Sequence, residues 1–274
     1  MTDRSRAALL IAPAALFIVA GFLLPVGVLL MGGFRDGAGA WSLARYVEFF
    51  ATPLHVETLW RTLRLGALVT IASAIIGYAA ALAIVDSSPS SRGRYIGLFI
   101  LPMMISPVAR TYAWVVLLGR TGLVNVLVLK LGLSDEPLRI LFTETAVFLG
   151  LVQLFLPLMV LSLVSALENL PPDVTAAARL LGASWLDVFL KVILPLTREG
   201  LAVGGVLVFT GAITAYITPA VLGGSKVLML ETLLFQRVSV ANDVVTASVI
   251  AMLLIVMSYA ANALLRRVAS VRKA

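Results

Sequence analysis

The chain has 274 residues, 61% of them hydrophobic and only 13% charged, with a formal net charge of +7. A soluble globular domain is nearer half apolar and a quarter charged, so the composition excludes an ordinary soluble protein and indicates a polytopic membrane protein. With no cysteine and one histidine, His55, it also excludes disulfides, thiolate metal sites and Cys/His catalysis.

A helix needs about 20 apolar residues to cross a bilayer core. Segments 8–31, 62–85, 96–118, 143–167, 201–222 and 244–265 meet that length. Continuous runs of this kind fit helices, whereas barrel strands are shorter and alternate. The expected fold class is all-α integral membrane, six transmembrane helices in one domain, 1–274. Arg4 and Arg6 precede the first run and Ala38-Gly39-Ala40 resembles a cleavage site. The run is nevertheless longer than the roughly 7–15 residues of a signal core, so it is expected to remain as a span.

The stretch that follows opens with Gly32, Gly33, Gly37 and Gly39 and then becomes amphipathic, with Trp41, Leu43, Tyr46, Val47, Phe49 and Phe50 near helical spacing. This pattern predicts an interfacial helix. His55, beside Pro53, is expected to be a solvated loop residue. Asp86–Arg94 is a short turn carrying Arg92 and Arg94. Pro102, Pro107, Pro157 and Pro219 fall in or near spans, where they either kink packed helices or mark broken helices that line a path.

The third span carries Arg110, Tyr112 and Trp114. A buried arginine needs a partner or water, so Arg110 is either a path residue or half of a pair with Glu144 or a backbone carbonyl. Tyr112 and Trp114 could form an aromatic wall that attracts cations, or simply pack at the membrane boundary. Leu123–Leu131 is too short to span and reads as re-entrant or interfacial. Thr214, Tyr216 and Thr218 precede Pro219 and complete the candidate path. Gln153, Tyr259 and Asn262 read as helix contacts.

The termini carry Arg4, Arg6, Arg266, Arg267, Arg272 and Lys273 against Asp3. This bias places both termini in the cytoplasm. Opposite them, Arg35, Arg45, Arg61, Arg120 and Arg139 are interleaved with Glu48, Glu57, Asp135 and Glu136. Basic residues at membrane edges are explained by anionic headgroups, not nucleic acid.

A transporter draws energy from ATP or from an ion gradient. The phosphate-binding spacing G-x-x-x-x-G-K-[ST] is missing; Gly223-Gly224-Ser225-Lys226 only mimics it, on the external side. The spans also lack the buried acids that ion-coupled carriers use, and lack H-E-x-x-H, G-x-S-G or any His or Cys for an intramembrane enzyme. Energy is therefore expected from another subunit.

The loop 168–198 is where it would enter. Pro171-Pro172-Asp173 is a helix-start pattern and Thr175–Leu181 a strong helix run. Gly182 permits a bend or a close approach. Trp185, Phe189 and Ile193 recur at helical spacing before Leu194-Pro195. Two short helices about a glycine form an L-shaped protrusion.

This loop resembles the Glu-Ala-Ala loop of the permease subunits of ABC importers, whose pattern is Glu-Ala-Ala, three residues, Gly, nine residues, Ile, one residue, Leu-Pro. Ala177, Ala178, Gly182 and Leu194-Pro195 match it, Val192 stands at the isoleucine and Ala176 at the glutamate. Leu101–Trp114, Leu117–Asn125, Pro219–Gly224, and Tyr46, Phe50, Pro53 and Thr62 are similar to the spermidine/putrescine branch. The resemblance implies the type I ABC importer permease (MetI-like) fold in a bacterial inner membrane. The coupling loop would comprise Ala176, Ala177, Ala178, Arg179, Gly182, Ala183, Trp185, Leu194 and Pro195. It implies as partners two copies of a cytoplasmic ABC ATPase holding ATP and Mg, a second and homologous permease, an external solute-binding protein and the lipid bilayer, with no cofactor on this chain. The expected cargo is a polyamine or related nitrogenous solute. Opines and phosphonates are the alternatives within the same class.

Overall fold

In a computed structural model the described residues, 3–35 and 39–270, are helical, with one isolated antiparallel bridge between Arg35 and Trp41. Gly37 and Ala38 of the glycine-rich stretch, and Arg272 and Lys273 of the terminal charges, lie outside the described residues. Two compact units are distinguished: one takes in the chain up to Glu57 together with Leu233–Ile255, the other Thr58–Thr232 and the chain from Val256.

The first unit begins with α1 (Asp3–Ile18), a π-helical turn (Val19–Leu23) and α2 (Leu24–Gly32), which run on without a break. The window Leu10–Gly32 has the length and hydropathy of a span, and none of it is buried within the protein. Helix α3 (Ala44–Ala51) is the expected amphipathic element, with Phe49 as its buried anchor. The loop before it is braced by Arg35, whose guanidinium lies 5.6 Å from the Trp41 ring centroid.

Helix α4 (Pro53–Val85) starts well before Thr62, and this corrects the reading of His55. Pro53 suits the first helical turn, so His55 sits in that turn and not in a loop. It is 6% exposed, stacks on Phe49 at 4.7 Å and accepts a hydrogen bond from Arg237 at 3.1 Å.

In the second unit, α5 (Pro89–Met104) and α6 (Pro107–Leu118) divide the stretch expected as one third span. Ile105 and Ser106 are extended between them, as the residue before a proline must avoid the helical region. Next come α7 (Leu123–Lys130) and the central helix α8 (Glu144–Glu168), which buries Val147, Gly150, Leu151, Met159, Val160, Leu163, Val164 and Leu167 at helical spacing. Thr143 caps α8 by accepting from the Ala146 amide.

After α8 come α9 (Pro172–Leu180), α10 (Trp185–Val188), a second π-helical turn (Phe189–Ile193), α11 (Leu194–Leu196), α12 (Arg198–Ile213) and α13 (Ile217–Leu222). The fifth span is also broken, at Thr214–Tyr216, because Pro219 cannot donate to the carbonyl four residues earlier and its ring would clash there. Helices α14 (Leu230–Ser239) and α15 (Val244–Ser270) are the last elements among the described residues. Among the described residues five helices have the length and composition to cross a membrane, and the pair Trp185–Leu196 with Arg198–Ile213, bent by 69°, allows a sixth.

Helix α12 packs closely on α8 through glycines. A Cβ at Gly200 would lie 2.3 Å from the Ala166 Cβ and 3.0 Å from the Ser162 carbonyl oxygen, and one at Gly204 would lie 2.7 Å from the Met159 sulfur. Small residues at this four-residue spacing allow helices in a membrane to approach backbone to backbone. Gly200→Val is expected to destabilise the protein by about 1–3 kcal/mol through overpacking against atoms that cannot turn away. Thermal unfolding in detergent checks this.

Candidate functional site

The segment 172–196 is built from its ends inward. Pro172 opens α9 and Asp173 lies in its first turn, where an acid is favoured. At the other end of α9 the Gly182 amide donates to Arg179 at 3.0 Å and the Ala183 amide to Ala178 at 3.1 Å. These bonds form a Schellman motif, which requires the left-handed conformation that Gly182 adopts at φ +81°. No atom lies within 4 Å of where a Gly182 Cβ would point, so the glycine serves backbone conformation and not close approach within this chain.

Ser184 then caps α10, accepting from the Asp187 amide at 3.2 Å and donating to its carboxylate at 2.6 Å. Lys191, 2.6 Å from Asp187, together with Ser184 holds that carboxyl below the usual range. The π turn precedes Pro195, whose missing N–H leaves no ordinary helical bond to Lys191.

An aromatic chain leads from this arm into the core. Trp185 stacks on Phe189 at 5.7 Å and Phe189 meets Tyr78 of α4 edge-on at 5.4 Å. The Tyr78 hydroxyl bonds Thr197 at 2.5 Å, and Thr197 donates to Ile193 at 2.8 Å. Thr197 is fully buried at the 69° bend where the arm meets α12. Tyr78 and Thr197 were not among the sequence-predicted site residues. Arg92 was also missed: it donates to the Val85 carbonyl at 2.6 Å and to Glu168 at 3.0 Å, tying α4, α5 and α8 together where α9 begins.

At the tip, apolar side chains face outward. Leu180 is 89% exposed, Leu181 88%, Trp185 60% and Leu186 59%. An exposed apolar group of this kind is a candidate interaction surface. Ala176, Ala177, Ala178 and Arg179 lie on α9, while Leu194 and Pro195 lie in α11.

The candidate path residues are not gathered into one wall. Arg110 donates to the Pro102 carbonyl at 2.9 Å, capping the end of α5 that the break exposes. Glu144 is instead bound by Arg61, at 3.0 Å, and by Arg64. Trp114 turns inward and donates to Gln153 at 3.3 Å, whereas Tyr112 lies on the exposed face of α6 with Val108 and Val116. Thr218, on α13, is buried against Thr111 of α6 at 3.3 Å. Thr214 is exposed and donates to Thr210, and Tyr216 is partly buried. The two broken spans thus meet through α6 and α13.

The family described as binding-protein-dependent transport system inner membrane component matches residues 73–270, which contain the whole of this loop and both broken spans. The chain belongs to that family. The permease is 34% identical to the spermidine/putrescine transport system permease protein PotB of Haemophilus influenzae over 85% of each chain, and 34% identical to PotB of Escherichia coli over 72% of each. Its fold is that of a solved alginate ABC transporter in complex with an alginate pentasaccharide-bound periplasmic protein (TM-score 0.79, 16% identity, 98% of this chain and 96% of that one). The MetNI methionine ABC transporter is also similar (TM-score 0.57, 16% identity, 78% and 94%). The chain is a multi-pass membrane permease subunit of an ABC importer, and not an enzyme.

Proposed function

We propose that this permease moves polyamines or related small nitrogenous solutes into the cytoplasm by alternating access, driven by two copies of an ATPase that binds ATP and Mg. A second, homologous permease completes the membrane path and an external solute-binding protein delivers the cargo. The termini and the segment 172–196 face the cytoplasm, where ATP is available.

The observation that carries this reading is the exposed apolar tip around the Gly182 turn, joined to the core by Trp185, Phe189, Tyr78 and Thr197. When the ATPase dimer closes, it pulls this tip, and the aromatic chain passes the movement to α4 and α12. Cargo class rests on the identity to the two PotB proteins. High-affinity recognition belongs to the binding protein, because the spans lack a cluster of acids to hold a polycation. A weak path also favours release.

The test is ATP hydrolysis by the reconstituted complex, stimulated by its binding protein loaded in turn with putrescine, spermidine, an opine and a phosphonate. Stimulation by the first two is expected. Stimulation only by an opine or a phosphonate would overturn the cargo assignment, and stimulation by none would overturn the importer.

A further inference from the structure

His55 is the single histidine of the chain and has no part in the coupling route described above. It sits in the first turn of α4, 6% exposed, with its ring 4.7 Å from that of Phe49 on α3 and its Nε2 3.1 Å from an Arg237 nitrogen on α14. These residues belong to the unit made of the chain up to Glu57 and Leu233–Ile255. A guanidinium carries only donors and keeps its charge throughout the physiological range, so Nε2 must be the acceptor. The imidazole in this arrangement is neutral, with its proton on Nδ1. An imidazolium has no acceptor, and protonation would set N–H against N–H.

The charges around the ring are already matched to one another. Arg237 is in contact with it, and Asp243 and Glu48 act on it from farther away. Glu48 is held by Arg45 at 3.2 Å and Asp243 by Arg237 at 3.8 Å, and Arg45 also acts on Asp243. Glu57, two positions along α4, lies on another side of that helix. Among the described residues facing His55, two arginines thus balance two acids, and a proton on the ring would add an unmatched charge to a buried site. The bond is complete above the imidazole range and is lost as pH falls through it. Its loss also frees the arginine that reaches Asp243, whose carboxylate accepts from the Thr246 amide at 3.0 Å and so caps α15.

With the termini in the cytoplasm, the segment after α2 and the one before α15 face outward, so His55 exchanges protons with the external side. From His55, α4 runs unbroken to Tyr78, the residue through which the coupling arm meets it. We propose that His55 and Arg237 form a pH-sensitive clasp at the outer end of α4, whose release slows transport when the external side acidifies. Release takes away the fixed outer end of the helix that takes up the movement, so less of it reaches the path. The inference rests on the importer reading above.

The experiment follows uptake of radiolabelled spermidine into proteoliposomes of the complete transporter, with ATP inside and loaded binding protein outside. The interior stays buffered while external pH is lowered from about 7.5 to about 5.5, one unit on either side of an ordinary imidazole. Wild-type uptake is expected to fall about fivefold. His55→Gln, whose side-chain carbonyl can accept from Arg237 without titrating, should stay within about twofold of its own starting rate. A second arm reads the imidazole by NMR in a complex whose permease alone carries isotope-labelled histidine and no histidine tag, so that His55 gives the single signal. The Nδ1–H tautomer is expected at the higher pH, with protonation in step with the loss of uptake. An Nε2–H tautomer at the higher pH overturns the proposal, as does protonation that leaves wild-type uptake unchanged. A His55→Gln complex that loses uptake on acidification as the wild type does also overturns it. No uptake by the wild type at the higher pH overturns the importer reading and the transport half of this inference, while the tautomer decides the clasp separately.

Discussion

Gly182→Leu is expected to lower binding-protein-stimulated ATP hydrolysis by the reconstituted complex by about tenfold, while Gly182→Asn keeps most of it. The reason is conformational. At φ +81° a leucine incurs about 1–2 kcal/mol for the left-handed backbone, which alone shifts the turn population by roughly five- to thirty-fold. Asparagine tolerates that region far better. Space is not the issue, because nothing in this chain approaches the position of a Gly182 Cβ. Once the turn opens, the Gly182 and Ala183 amides lose their bonds to Arg179 and Ala178, and Leu180 and Leu181 lose their fixed place at the end of α9. Equal activity in the leucine and wild-type complexes would remove the turn from the coupling route.

Leu180→Asp with Leu181→Asp should leave the isolated permease as stable as wild type, within about 0.5 kcal/mol, and abolish its co-purification with the ATPase. Both side chains are almost wholly exposed in the permease alone, so truncating them forfeits no internal packing. In a docked complex each new carboxylate would be buried without a partner, at a cost of several kcal/mol. Thermal unfolding of the permease and pull-down of the complex read the two halves separately. A variant that still co-purifies with the ATPase places the docking surface elsewhere.

The two short helices about Gly182 were legible in sequence because their determinants are local: a double proline, a glycine at a fixed distance, a Leu-Pro stop. Composition likewise sufficed for the all-helical class. What the sequence concealed depends on contacts far apart along the chain. Tyr78 reads as one more aromatic in an apolar run, and only the packing of Phe189 and Thr197 against it reveals the link from tip to core. Sequence left Arg110 a choice between Glu144 and a backbone carbonyl; the break between α5 and α6 brings it to the Pro102 carbonyl, which also accepts from the Ile105 amide, while Glu144 is held by Arg61 and Arg64. Hydropathy counts residues without seeing the backbone, so it read two broken spans as whole, although Pro107 and Pro219 stood in each. His55 looked solvated because Pro53 was read as a loop residue when it starts a helix.

The account places the energy source outside this chain. Uptake of radiolabelled spermidine into proteoliposomes tests that most directly, comparing the complete complex supplied with ATP on the ATPase side against the permease alone under a proton or sodium gradient. The account predicts accumulation in the first case and none in the second. Gradient-driven accumulation by the permease alone would contradict it.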